Sequence, residues 1–299
     1  MYVNFYIYQE AFMRYQFLRF PGGKPKAVTF SYDDGCIEDI RFSQILTKHK
    51  LKGTFNLNCD VLRKGSGLSQ ADVEEYLLAK GHEIAVHGQL HRAEGGMRPI
   101  EGIRDVLECR LELEKKYGRI IRGMAFPDFG ITKMYNGASY EAIKQYLKEL
   151  DIVYSRTLGG DNNRFTLPED WLAWMPTAHH NNPALMGWLD EFLSFDYTAK
   201  GIYCANRGPR LCYIWGHSYE FERNQNWELA EQICEKVAGK EDVWYATNME
   251  IYEYVTAYQS LVYSADGSRI YNPTLKTIWM ERDEKLYCIQ PGEEVKFED

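Results

Sequence analysis

The sequence predicts an α/β fold built on a mainly parallel sheet, barrel-like or open, followed by a short all-β tail. Three observations predict it. Seven β-type runs, near residues 28, 54, 83, 121, 152, 211 and 243, are separated mainly by helical patterns. The unusual polar residues follow those runs, at the carboxyl ends where α/β folds expose their chemistry. Beyond residue 260 the pattern changes to hairpin-like runs broken by Asp266-Gly267 and Arg282-Asp283-Glu284.

The elements follow in order. Residues 1–20 are rich in aromatics and read as one or two strands, ended by Pro21-Gly22-Gly23. The run 26–32 alternates Val28, Phe30 and Tyr32 on one face and ends in Asp33-Asp34-Gly35. A helix over about 36–50 carries Ile37, Ile40, Ile45 and Leu46 near a 3.6-residue period. Thr54–Asn58 is a strand. Ser69 caps the next helix, with Asp72 in its first turn, Leu68 and Val73 as a staple and Gly81 past its end. His82–His87 is a strand, and a long helix over 100–117 stops at Gly118. Ile120–Phe126 is a strand before Pro127, Ser139 caps a helix to Leu150, and Ile152–Ser155 is a short strand. Residues 157–182 read as a loop, long enough to be functional. Pro183–Phe195 is amphipathic. Leu211–Trp215 suits a strand buried on both faces, and a helix covers 226–238. After a strand at 243–246, Thr247 and Glu250 form a capping box for a helix to about 260. The reading divides the chain into a barrel over 1–260, with 1–25 packing on it as strands, and a β appendage over 261–299.

Composition narrows the function. With 45% hydrophobic and 26% charged residues, the 299-residue chain suits a soluble globular protein with a full core. A net charge of −8 argues against an electrostatic grip on nucleic acid and, more mildly, on anionic membranes. The cysteines are odd in number, seven, and no Cys-x-x-Cys pair occurs, so they read as thiols in a reducing compartment. Residues 1–20 show no apolar core with a cleavage site, and no run has transmembrane length, so the expectation is cytoplasmic. The oligomeric state has no sequence signal.

The candidate chemistry lies at strand ends. Adjacent Asp33 and Asp34 repel unless they share a cation or a proton, although Asp-Asp-Gly is also an ordinary turn. His87-x-x-x-His91 has metal-pair spacing and asks for a third ligand, which Asp34 offers. Two imidazoles and a carboxylate suit catalytic zinc or the facial triad of non-haem iron. Pro127-Asp128-Phe129-Gly130, Arg156 and His217 follow the fourth, fifth and sixth strands. His49 and His82 read as structural. Trp171, Trp174 and Trp188 read as sugar-stacking candidates, at least two of them better as core, and His179-His180 either as a substrate contact or as part of a polar lid. Glu220 and Glu222 are placed either to tune His217 or simply to be solvated.

Thr29-Phe-Ser-Tyr-Asp-Asp-Gly35 resembles the first motif of the polysaccharide deacetylases (NodB-homology enzymes, carbohydrate esterase family four), Thr-Phe-Asp-Asp-Gly, with an insertion ahead of the Asp pair. His87-Gly-Gln-Leu-His91 resembles the second, His-Ser/Thr-x-x-His, with Gly88 for the hydroxyl residue. Trp215-Gly-His217 resembles the fifth, Leu-x-His. The resemblance spans about 26–255. It implies a distorted, incomplete (β/α)7 barrel and metal-dependent deacylation of an N- or O-acetylated carbohydrate.

It further implies that Asp34, His87 and His91 bind the metal, zinc by default, with cobalt, nickel or iron fitting the same set. Asp33 is then the general base on a metal-bound water and His217 the general acid. A backbone N–H of the Pro127, Asp128, Phe129 turn is an oxyanion donor. Two positions depart from the family pattern. The third motif's arginine position falls at Ala125, with Arg122 three residues earlier. The fourth motif's Arg-Asp pair reads Arg156-Thr157. Arg156 is therefore expected to orient Asp33. Two rival functions stand beside this one: hydrolysis of a non-sugar cyclic amide, and glycan binding with reduced catalysis.

Overall fold

The computed structural model describes residues 15–159, 164–198 and 207–297. The strands expected within residues 1–14, and Cys204, lie outside them.

β1 (Gln16–Arg19) precedes the central strand β2 (Lys26–Asp34), which is buried along all but its last residue. α1 (Asp39–Lys48), β3 (Gly53–Leu57) and α2 (Cys59–Arg63) follow. α3 (Gln70–Asp72) opens on the expected cap: Ser69 accepts from Asp72 N–H and Asp72 accepts from Ser69 N–H. Helical backbone continues to Lys80 through one wide and one tight turn, then stops at left-handed Gly81. β4 (Glu83–Val86), α4 (Pro99–Tyr117), β5 (Gly123–Ala125), α5 (Tyr140–Glu149) and β6 (Tyr154–Arg156) complete the first half. β5 is shorter than the expected Ile120–Phe126 strand, and Ile120, 80% exposed, lies outside it.

The region expected as a loop contains β7 (Ala178–His179). After it come α6 (Leu185–Ser194), β8 (Arg210–Gly216), α7 (Tyr219–Arg223), α8 (Trp227–Val237), β9 (Val243–Tyr245) and α9 (Asn248–Gln259). α9 starts on the expected Thr247–Glu250 capping box.

The main sheet is a curled parallel sheet in the order β6-β5-β4-β3-β2-β8-β7, with β9 paired to the start of β2. It is an incomplete barrel. Its open side is bridged by the chain around β7. Trp174 bonds to β6 through Ser155 O and Thr157 N–H, and residues 177–180 bond to β8. Alternation along β2 separates two environments. Val28, Phe30 and Tyr32 join Phe42, Leu46 and Phe55 under the helices. Full burial of each such side chain stabilises the fold by roughly 1.5–3 kcal/mol. Thr29, Ser31 and Asp33 face the barrel interior, where Thr29 bonds to Asn248 and Ser31 to Asn56. The strand ends therefore converge on one rim.

The tail forms small antiparallel sheets from β10 (Val262–Tyr263), β11 (Arg269–Tyr271), β12 (Ile278–Arg282), β13 (Lys285–Ile289) and β14 (Glu294–Lys296). β12 pairs with both β13 and β1, so a strand from the other end of the chain completes that sheet. Ile278, Met280 and Ile289 pack with Leu18, Phe20 and Leu211 at the amino-terminal end of the barrel.

Candidate active site

Asp33 and Asp34 leave β2 in opposite directions because a strand alternates. Asp33 is 2% exposed. One of its oxygens accepts from Asn56 Nδ2 at 2.8 Å, and the other forms a buried ion pair with Arg156. Arg156 stands on β6 in register with Ala125 of β5, and its guanidinium lies 4.3 Å from the Trp215 ring centre. The cation paired with Asp33 thus comes from β6, beside position 125 of β5. Arg122 points away, to Asp151 at 2.7 Å. Thr157 is buried beside Arg156 and donates its backbone N–H to Trp174.

Asp34 turns to the other two expected ligands. Its Oδ1 lies 3.1 Å from His91 Nε2 and 3.5 Å from His87 Nε2. The three ligand atoms all lie within 4.8 Å of one another. Asp34 and His91 both adopt left-handed backbone, with φ of 82° and 52°. That conformation disfavours non-glycine residues by about 1–2 kcal/mol, and such strain concentrates at functional sites. The loop between the histidines is held by Asp105, which accepts from Gln89 and Leu90 N–H at 2.9 Å each. A Cβ on Gly88 would stand 2.6 Å from Asp105 Oδ2, with φ of 76°, so this loop requires glycine where the family pattern has a hydroxyl residue.

A cation fits this set. Asp34 Oδ1 and His87 Nε2 are buried with no hydrogen-bond partner. His87 Nδ1 lies 2.9 Å from the Ala125 carbonyl oxygen, which can only accept, so the proton is on Nδ1 and Nε2 is bare. Burial alone would raise the Asp34 carboxyl, but contact with His91 and the charges of His87 and His217 bring it down to about 2. Burial lowers His87, whereas contact with Asp34 raises His91. An ionised oxygen and a bare imidazole nitrogen are the donors that zinc takes.

His217 follows β8, and its Nε2 lies 3.9 Å from Asp33 Oδ2. Pro127 to Gly130 form a turn after β5, closed by Gly130 N–H to Pro127 O at 2.9 Å. Asp128 is exposed, and its charge reaches His91. The Phe129 ring packs on Gly96 and edge-on to Tyr135.

The sequence left His179 and His180 between a substrate contact and a polar lid; the structure sets both against β8 and Glu220. β7 carries His179 against β8 and buries His180 between Tyr32 and Phe221. Both face Glu220, the residue at the start of α7. Glu220 Oε2 lies 3.1 Å from His179 Nε2, 3.3 Å from His180 Nε2 and 3.2 Å from Asn181 Nδ2. His217 Nδ1 lies 3.8 Å from the same oxygen. The sequence signal was present in two adjacent histidines and a Gly-His-x-x-Glu run, but only long-range pairing joins them. Gly216 makes room for the packing: a Cβ there would stand 2.0 Å from His180 Nδ1. Gly216→Ala is therefore expected to destabilise the protein by about 1–3 kcal/mol, as overpacking does, measured by chemical denaturation.

The Trp residues resolve as core: Trp174 is 1% exposed, Trp171 packs edge-on to it, and Trp188 leans on the main cluster. His49 bonds to Glu231, and His82 accepts from Gly53 N–H. The six described cysteines are free thiols. Among the described residues no helix is long and apolar enough to cross a membrane.

Comparison with known proteins agrees with the fold. The family model described as polysaccharide deacetylase matches residues 21–154. No curated protein matches the chain. A Mycobacterium smegmatis structure assigned as a polysaccharide deacetylase superposes with a TM-score of 0.56 at 18% identity, covering 81% of this chain and 94% of that one. The PuuE allantoinase gives 0.52 at 14% identity, covering 78% and 91%. A Streptococcus pyogenes deacetylase, solved with acetate, gives 0.38 at 19% identity, covering 43% of this chain and 54% of that one. The alignment thus spans about half the length of that last relative.

Proposed function

We propose, from the premise that residues 21–154 belong to the polysaccharide deacetylase family, that this chain is a metal-dependent hydrolase acting on an N- or O-acetylated carbohydrate. The observation that carries the reading is the convergence of Asp34, His87 and His91, with buried unpartnered atoms facing one another. These three residues hold a divalent ion, zinc by the donor set. When bound, such an ion supplies Lewis-acid chemistry, polarising an acyl oxygen and acidifying water.

The chain's own groups do the rest. Asp33 removes a proton from the attacking water; Asn56 and Arg156 fix one oxygen each, so its orientation is set before substrate arrives. Arg156 is a positioning residue in this reading. Backbone N–H groups at Asp128 and Phe129, in the turn after Pro127, are the oxyanion donors. His217 gives its Nε2 proton to the leaving nitrogen or oxygen as the acyl bond breaks. Acetate and the free amine or alcohol result. The proton gained by Asp33 and the one lost by His217 balance, and their 3.9 Å separation gives the resetting transfer a short path.

The test is metal content together with turnover. Purified protein is expected to carry one divalent ion per chain. It should release acetate from acetylated chito-oligosaccharides or acetylated xylan, lose that activity to a chelator and regain it with zinc. Turnover of a cyclic amide alone would favour the rival amidohydrolase. Metal-independent sugar binding without turnover would favour the glycan-binding reading. Acetate release indifferent to chelator would remove the metal from the mechanism.

A further inference from the structure

Beside the Asp34 centre lies a second group of ligand-type side chains: His179, His217 and Glu220, with atoms within 4.8 Å of one another. Its separations resemble those around Asp34, and His217 Nδ1 is buried without a hydrogen-bond partner. Two readings compete. Either the group holds a second cation, or Glu220 serves the proton chemistry of His217.

Proton positions decide between them. At His87 the far ring nitrogen faces a carbonyl, which leaves Nε2 bare for a metal. At His179 the pattern is reversed. Its Nδ1 accepts the backbone N–H of Asn181 at 3.1 Å, so the ring proton sits on Nε2 and points at Glu220. A nitrogen that carries its proton does not ligate. His180 adds less: the buried Tyr32 hydroxyl lies 3.2 Å from its Nδ1, and its Nε2, 3.3 Å from Glu220, makes no hydrogen bond. Asn181 adds an amide N–H at 3.2 Å. Two side chains of this segment, His179 and Asn181, therefore aim N–H groups at one carboxylate oxygen. Arg223 stands 3.3 Å from the other. Burial opposes the charge, but contact with His179 and with His217 itself holds Glu220 well below the usual carboxylate range.

An oxygen kept anionic in this way, 3.8 Å from a buried and unpartnered imidazole nitrogen, has one evident use. We propose that Glu220 is the positioning residue for His217: it keeps a proton on Nδ1, favours the imidazolium, and so presents Nε2–H toward Asp33 and the reacting centre. The gap closes when His217 is charged, since catalytic hydrogen bonds are often long before substrate binds. Burial opposes the charge on His217, the charges of Asp33 and Asp34 favour it alongside Glu220, and the Tyr219, Trp215 and His179 rings face it at 5.2, 6.0 and 6.3 Å. The segment 177–181, which bridges the barrel's open side, thus also anchors the acid. This inference rests on the deacetylase reading only for the identity of the reaction.

The experiment compares wild type with Glu220→Gln on two substrates: an N-acetylated chito-oligosaccharide, whose amine must be protonated to leave, and 4-nitrophenyl acetate, whose phenolate leaves without a proton. The variant is expected to lose about 10–100-fold in kcat on the amide, the scale of supporting-residue effects, with KM little changed. Its kcat on the aryl ester should stay within about threefold, since only the proton-donation share of catalysis is touched, and metal content should remain one ion per chain. Glu220→Asp should recover part of the loss. Equal losses on both substrates, or none, would overturn the proposal, as would a second ion per chain that disappears with Glu220→Gln. Long-range nitrogen–proton spectra of the His217 ring give a readout without turnover. A proton on Nδ1 in the wild type, lost in Glu220→Gln, is expected; a bare Nδ1 already in the wild type would overturn it. A wild type with no chelator-sensitive turnover would instead count against the deacetylase reading, and the ring spectrum would still decide the role of Glu220.

Discussion

Arg156→Ala is expected to destabilise the protein by about 3–5 kcal/mol, the range for removing one partner of a buried ion pair. The reason is Asp33. Its carboxylate is 2% exposed, and the guanidinium of Arg156, itself fully buried, is the cation paired with it. Removing the arginine leaves a charge inside the barrel with Asn56 as its remaining side-chain donor. The cation–π contact with Trp215 is lost as well. Chemical denaturation of wild type and variant gives the difference directly. Activity reads the second role. If Arg156 orients Asp33, kcat/KM falls in conditions where the variant remains folded. An unchanged kcat/KM would show that Asp33 needs no such orientation, and a stability change below about 1 kcal/mol would place the pair among weakly coupled surface-like contacts.

Asp33→Asn is expected to lower kcat by about 10²–10⁴-fold, the usual share of a positioned general base. Asparagine has nearly the same shape but leaves the buried Arg156 without its counter-charge, so the kinetics are compared in conditions where denaturation curves show the variant folded. The informative comparison is with His87→Ala. That variant removes a nitrogen whose tautomer is fixed by the Ala125 carbonyl, so it should lose bound metal and activity together. Asp33→Asn should lose activity and keep the metal. Metal analysis beside steady-state kinetics separates them. Loss of the ion from Asp33→Asn would make Asp33 a ligand and move the base elsewhere.

Much of this site was legible in the chain because its parts are local. A buried strand ending in Asp33-Asp34-Gly35, and two histidines four residues apart, announce themselves by spacing. The helix caps at Ser69, Ser139 and Thr247 were equally plain, since capping is decided within a few residues. What was not legible depends on register between distant strands. Arg156 was already a candidate to orient Asp33, but the register that brings it there, β6 opposite Ala125, was not readable. The two-residue β7 has no strand pattern, lying after Pro176, and exists only through its bonds to β8. His179, His180 and Asn181 therefore read only as a substrate contact or lid polarity, and Glu220, beside all three, lies 39 residues beyond Asn181 in the first turn of a helix.

The pairing of β1 with β12 sets the order in which the protein can be finished. Arg19 and Arg207, at most 8% exposed, share the carboxylate of Glu281 at 2.8 and 2.7 Å. Until residues near 280 have left the ribosome, both arginines lack that counter-charge and β1 lacks its neighbour. The early βα units can form as they emerge, but the lower end of the barrel stays unsealed through most of translation. Contacts spanning 262 residues also close slowly. The growing chain is therefore most exposed to mispairing, and most dependent on chaperones, just before its last sheet is made.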